Sequence, residues 1–406
     1  MDKRCKTKIK TEDSDNRVIS ERSLSVEWSG IRKVSGKMSK IKSGGISLGV
    51  GQPDFDTPKH ILTAANRALE QGYTRYPPSK GFGDLISTIC RKLEEKNKIV
   101  ADPESEIFIS VGAMQGIFNA LLVLINPGDE VIVIDPGFNY NSQIRLFGGT
   151  PVPVFADEKN GFKIDPDDIR KAVTSKTRLI ILNSPSNPTG AMYDREALVQ
   201  IAQIAQQNNI FVLSDEAYED IVYDQDHFSI GSLDGMRDLT VSVFTFSKSY
   251  AMTGWRVGYV VARSEIISEM EKLMEHMLSG VTAVSQRAAI EALNGPQNCI
   301  AAMVGEYRHR RDMICNALDQ TDGITYCKPE ATFYVYPNIS GTKVKSPELV
   351  DFLINTQKVG TIPGTNFSQQ GMDHIRISFA TSRDNITEGM ARIRNALNEI
   401  SSRKAS

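Results

Sequence analysis

From residue 107 onward, short apolar runs alternate with longer stretches whose apolar positions recur every three or four residues, and turn residues mark each switch. IFISV (107–111) leads through Gly112 into AMQGIFNALLVLI, and Asn126-Pro127-Gly128-Asp129 then turns the chain into EVIVI (130–134). Five further runs follow, at 151–155, 178–182, 210–214, 241–246 and 256–261, several of them separated by helix-like segments. Runs that are apolar at nearly every position, rather than at every second one, belong to strands covered on both faces. The pattern predicts an α/β fold built on a mostly parallel, seven-stranded sheet covered by helices. Ligands of such sheets bind beyond the carboxyl ends of the strands, which directs attention to the polar residues after each run.

After about residue 296 the pattern changes. A long polar, helix-like stretch over roughly 296–320 is followed by FYVYP (333–337), a helix near 347–355, HIRISFA (374–380) and a last helix. That helix carries Ile386, Met390, Ile393, Leu397 and Ile400 at spacings of three and four, so it buries one stripe against a neighbour. This part reads as a smaller α+β domain.

Composition narrows the partners. With 47 Lys and Arg against 49 Asp and Glu, the formal net charge is −2. That argues against a nucleic-acid binder, which needs a basic surplus, and against a disordered chain. Cys5, Cys90, Cys299, Cys315 and Cys327 are odd in number and far apart, which fits reduced thiols and a cytoplasmic location. The start, MDKRCKTKIKTEDSDNR, is charged where a signal peptide has an apolar core, and no segment approaches the ~18 apolar residues of a membrane span. The expectation is a chain neither secreted nor membrane-spanning, with residues 1 to about 24 as a flexible extension.

Among familiar motifs, LGVGQPDF has Asp54 where a dinucleotide loop needs a third glycine, and no phosphate loop of the GxxxxGK[ST] type occurs. His60, His227, His276, His309 and His374 form no close pair and the cysteines form no CxxC, so no metal site is expected. The informative strings are SPSNPTG (184–190), SDEAY (214–218), TFSKSYAMTGWRVGY (245–259) and IRISFA (375–380). Asp215 ends an apolar strand, where a carboxylate is costly unless a cation or donor faces it. Lys248 also follows a β-run, flanked by Thr245, Ser247 and Ser249, with Arg256 on the next strand; hydroxyls and a cation suit a phosphate. Alternation in HIRISFA puts His374, Arg376 and Ser378 on one face, and a charged residue on an inner face needs a partner. Taken singly, such a Lys is usually a solvated surface residue and such an Asp a turn or helix cap.

In this order, NPTG, DEAY, SKSYAMTGWR and RISFA make the sequence resemble the class I/II aminotransferases of fold type I, which use pyridoxal 5′-phosphate, over about residues 25–400. The resemblance implies that Lys248 bonds to the cofactor's aldehyde and later moves the proton between Cα and the cofactor. Asp215 would pair with the pyridine nitrogen, and Asn187 and Tyr218 would donate to the ring oxygen. The phosphate would sit at the helix opened by Gly112-Ala113-Met114, with Thr245, Ser247 and Arg256 completing its cradle. Phe138 matches the aromatic that stacks on the ring, plain core being the alternative. Tyr76 resembles a tyrosine that reaches a phosphate across a dimer interface, implying a homodimer with shared sites. Arg376 matches the arginine that grips the substrate α-carboxylate, and Gly51 a loop whose backbone approaches the same group.

The departures are modest: Thr245 stands where Ser is more usual, Phe138 where Trp or Tyr is common, Ala331-Thr332 where Gly-Ala often precedes the aromatic pair, and Ser368 where Gly is frequent. The chain divides accordingly into an extension (1–24), a small domain (25–55 and 297–406) and a large cofactor-binding domain (56–296). The expected function is transfer of the α-amino group of an amino acid, aspartate or aromatic favoured, to an oxo acid such as 2-oxoglutarate by a ping-pong cycle. A second cation that would read a side-chain carboxylate is not assignable: Arg75, Arg145 and Arg287 are candidates, and each has a surface role as its alternative. A lyase, decarboxylase or synthase on the same scaffold is the rival, since fold alone does not fix which bond at Cα breaks. A non-catalytic ligand-sensing protein is the remoter one.

Overall fold

The computed structural model describes residues 19–405, with side chains through residue 400. Most of the expected 1–24 extension, and Cys5, lie outside that range; Glu21–Leu24 form one exposed helical turn capped by Ser20. The first strand, β1 (Ile46–Ser47), belongs to the smaller part of the molecule.

The central sheet comprises β2 (Ile107–Ser110), β3 (Glu130–Asp135), β4 (Thr150–Phe155), β5 (Thr177–Asn183), β6 (Phe211–Asp215), β7 (Thr240–Thr245) and β8 (Gly258–Val261), in the order β2-β8-β7-β6-β5-β3-β4. Only β8 runs against the others. Each apolar run expected from the sequence is one of these strands. The period of two sorts their side chains into two layers: Val131, Val133, Leu179, Ile181 and Leu213 enter one core, while Ile132, Ile134, Ile180, Leu182 and Val212 enter the other. Helices such as Gly112–Leu124 and Ser264–Met277 cover the first face and Arg195–Asn208 the second. Continuous apolarity was thus the mark of burial on both sides. Strand β4 carries Pro151 and Pro153, which lack a ladder donor, and it lies at the sheet's edge, where that loss is tolerated.

The polar ends gather on one side. Because β3, β5, β6 and β7 are parallel, Asp135, Asn183, Asp215 and Thr245 all lie at one edge of the sheet. Register places Asn183 beside Asp215 and Thr245 beside Gly258, so reversal of β8 brings Arg256 to the same edge.

The second part contains β9 (Tyr334–Val335), β10 (Val359–Gly360), β11 (Ile362–Pro363) and β12 (Ile375–Ser378). Strands β11, β12 and β9 form an antiparallel sheet, and β10 pairs with β1 in parallel. The polar helix spans Asn298–Asp319, and the last helix, Arg383–Ala405, buries all five apolar residues of its expected stripe. Strand β12 is shorter than the run HIRISFA and is buried on both faces; His374 precedes it and stacks on Tyr336 at 4.8 Å.

Candidate active site

Every site residue expected from the sequence except Tyr76 lines one cavity of about 280 Å³ at the carboxyl edge of the sheet. Tyr76 is 89% exposed and stands apart from it. The cavity wall is made by turns that follow different strands, which explains why its residues are scattered along the chain.

Lys248 sits in a short helical turn, Phe246–Ser249, that begins where β7 ends. Its Nζ donates to the carbonyl of Gly51 at 2.6 Å, and the rings of Tyr218 and Phe333 lie 5.8 Å away. Burial, then the positive fields of Arg376 and Arg256, push the amine down to about 8. A neutral amine is therefore within reach near physiological pH, which nucleophilic and proton-transfer roles require. Arg256, which the sequence places near a phosphate, ranks behind both burial and Arg376 in lowering it.

Asp215 is buried, and no Lys, Arg or His among the described residues pairs with it. Its Oδ2 accepts from the hydroxyl of Tyr140 at 2.6 Å and its Oδ1 from the N–H of Ala217 at 3.2 Å. Burial pushes the carboxyl up to about 6, against the pull of those donors. The expected facing group is thus a hydroxyl, and a cationic nitrogen placed in the cavity would complete the set. Asn183, at the end of β5, donates to the Asp215 carbonyl and accepts from the N–H of Asn187, which fixes Asn187 beside it.

Arg376 is 1% exposed. Its Nη1 donates to Asn187 Oδ1 at 2.8 Å and its Nη2 to the carbonyl of Gly49 at 2.7 Å, while Nε has no partner among the described residues. Tyr334 and Phe367 flank the guanidinium at 4.3 and 4.8 Å. A buried cation held by neutral acceptors, with no carboxylate beside it among the described residues, is poised for an anion. Tyr334 also bonds hydroxyl to hydroxyl with Tyr218 at 2.8 Å and closes over Gly51, where an added Cβ would stand 2.2 Å from its oxygen.

The opposite end of the cavity brings the start of a helix together with a guanidinium. At the start of the helix Gly112–Leu124 the side chain of Val111 makes no cap, and Gln115 Oε1 takes only the N–H of Val111, so among the described residues the N–H groups of Gly112, Ala113 and Met114 remain free for an anion. Gly112 takes φ +69°, and a Cβ there would lie 2.5 Å from Arg256 Nη2, so only glycine lets the arginine pass. Arg256 itself adopts the left-handed region at φ +52° and is held by the carbonyls of Thr253 and Val111, each at 3.1 Å. Thr245 caps the Lys248 turn by accepting from the N–H of Ser247. Phe138 lines the cavity and also packs on the core, meeting Tyr140 edge-on at 5.4 Å, so the core reading holds and the ring stays accessible from the cavity.

Tyr140, Tyr334 and Asn183 were missed from the sequence. Tyr140 follows Phe138 by two residues and Tyr334 belongs to the strand FYVYP, but neither position carries a signal of its own in the sequence. Of the second-cation candidates, Arg287 pairs with Asp84 at 2.7 Å, Arg75 is exposed, and Arg145 lines a separate cavity behind the Phe138 loop. Arg75 and Arg145 are exposed, as the surface alternative has it, whereas Arg287 is half-buried over the rings of Tyr73 and Phe82.

An anion cradle at a helix N-terminus, a buried carboxylate awaiting a cation, an amine with lowered affinity for its proton and a buried unpaired arginine together fit pyridoxal phosphate and an amino acid. Comparison with known proteins agrees. The family described as aminotransferase class I and II matches residues 43–393. The chain is 39% identical to an aspartate aminotransferase of Pyrococcus horikoshii over 93% of this chain and 97% of that one. It is 38% identical to aromatic-amino-acid aminotransferase 2 of Thermococcus litoralis, over 94% and 98%. The structure of the Thermus thermophilus aspartate aminotransferase with maleate superposes with a TM-score of 0.89 at 33% identity, covering 94% of this chain and all of that one. Site, fold and kinship converge, and the chain belongs to the class I and II aminotransferases, the transaminases that work with pyridoxal phosphate.

Proposed function

We propose that the cavity transfers the amino group of aspartate or an aromatic amino acid to 2-oxoglutarate in a ping-pong cycle, with the residues around it in the following roles. Pyridoxal phosphate, when bound, supplies an aldehyde that takes up the amino group and a ring that draws electron density from Cα. The helix N-terminus at Ala113 and Met114, with Thr245, Ser247 and Arg256, holds the phosphate. Asp215 faces the pyridine nitrogen, Asn187 and Tyr218 face the ring oxygen, and Phe138 covers the ring. Lys248 secures the aldehyde end and, once freed, moves the proton from Cα, for which its lowered basicity suits it. Arg376 and the backbone at Gly51 hold the α-carboxylate and so orient the Cα–H bond for that proton's departure.

The observation that carries this reading is Arg376: a buried guanidinium, with Nε unpartnered and two neutral acceptors, requires an anion that the described chain does not supply. A carboxylate common to all amino acids meets that requirement. The names of the relatives support aspartate or an aromatic amino acid as donor. We further propose a cytoplasmic homodimer in which Tyr76 serves the partner's phosphate site; its exposure and the free cysteines at 90, 299, 315 and 327 support this. Among the described residues no helix is long and apolar enough to cross a membrane.

Half-reaction analysis tests the proposal. Loaded enzyme given aspartate or phenylalanine without an acceptor is expected to form one equivalent of 2-oxo acid per chain and stop, resuming when 2-oxoglutarate is added. Continued turnover without acceptor, or release of ammonia or CO₂, would contradict it.

A further inference from the structure

Asp215 needs more than burial to face a cation. A carboxylate on the end of a strand has two oxygens and one free torsion near the ring plane, and its charged form must be held in place before any ligand arrives. One oxygen is fixed by the N–H of Ala217, two residues along. The other is fixed from a distant part of the chain by Tyr140, whose hydroxyl donates at 2.6 Å and, among the described residues, has no other hydrogen-bond partner. Both side chains are buried, Tyr140 at 4% exposure and Asp215 at 6%. Tyr140 stands at the start of the short helix Asn141–Leu146, just after the Phe138 loop, and its ring meets Phe138 edge-on. One turn therefore supplies both the aromatic wall of the cavity and the donor behind its carboxylate.

We infer that Tyr140 is a positioning residue for Asp215: its hydroxyl aims the carboxylate at the cavity and favours the ionised form that a pyridinium requires. The inference rests on the assignment of Asp215 to the pyridine nitrogen. The other titratable groups around Asp215 are Glu216 and Tyr218, which follow it on the same turn, and Lys248 from the turn after β7. Glu216 and burial oppose ionisation, whereas Lys248, the Ala217 N–H and Tyr140 favour it, with Tyr140 the strongest of the three. Removing the hydroxyl leaves a buried carboxylate oxygen without its donor, so the neutral acid gains. A neutral acid is a poor partner for a protonated ring.

The test uses Tyr140→Phe, which keeps the ring and loses only the oxygen, with the buried Tyr193→Phe as control. The apoprotein is titrated with pyridoxal phosphate by absorbance, and the loaded protein is then titrated with acid and base. For Tyr140→Phe the dissociation constant is expected to rise about tenfold, and the pH midpoint of the visible band to move, with kcat falling while KM for the amino acid holds. Tyr193→Phe leaves all of these unchanged. Should Tyr140→Phe not fold, 3-fluorotyrosine at position 140, a stronger donor of the same shape, is expected to move the midpoint the opposite way. An unchanged dissociation constant and midpoint in either variant would overturn the inference. Failure of the wild-type apoprotein to take up pyridoxal phosphate would instead overturn the site assignment beneath it.

Discussion

Arg376 shows how much one side chain can specify. Its planar fork leaves Nε and the cavity side of the guanidinium for a ligand while Asn187 and Gly49 hold the rest, and two aromatic faces prevent it from swinging away. Lysine at this position would offer a point charge that cannot match both carboxylate oxygens. For Arg376→Lys we predict a rise in KM of about thirtyfold for every amino donor, the equivalent of roughly 2 kcal/mol for a charge-assisted bidentate contact. Steady-state kinetics across a donor series checks this, and an unchanged KM would remove Arg376 from the substrate site. Arg376 was legible because a charge inside an apolar strand is improbable without a function. Tyr140 was not, since it lies in the polar turn GFNYNS, where nothing marks it, and its partner is 75 positions away in sequence. The same distance problem hid Tyr334, whose bond to Tyr218 spans 116 positions. Thr332 is informative in another way: it takes φ +63°, which a β-branched residue rarely adopts.

At the scale of elements, the helix Gly112–Leu124 joins fold and site. Its apolar face fills the core against β7 and β8, and its uncapped N-terminus meets Arg256 above the cavity. Both depend on Gly112, which combines a left-handed backbone with a close approach to the arginine. For Gly112→Ala we predict that the protein folds but holds pyridoxal phosphate at least tenfold more weakly, measured by equilibrium titration of the apoprotein. Unaltered affinity would show that the cradle lies elsewhere. The seven strands were readable because burial on both faces leaves an unbroken apolar signature. The short strands β9–β12 were less so: runs such as FYVYP pack mainly through side chains, and only Tyr334–Val335 enters the ladder.

Across the whole molecule, one core occupies a single face of the sheet, while the other runs unbroken from the opposite face into the region of β9–β12. We propose the division into a large part (56–296) and a small one (25–55 and 297–406) on the strength of the separate sheets, with the second core as their common packing. Two cavities then compete for attention. The larger, about 540 Å³, lies against the same Thr245–Tyr250 segment and contains Lys92 and Lys96, but those lysines are already paired with Glu219 and Asp220. The smaller contains one lysine, Lys248, with no acidic partner. Size favours the first, and unspent chemistry the second. Borohydride reduction of the loaded protein, followed by peptide mass spectrometry, decides between them. The account predicts that the cofactor is fixed on Lys248 alone, one per chain; a label on Lys92, Lys96 or any other lysine, or no label on Lys248, would contradict it.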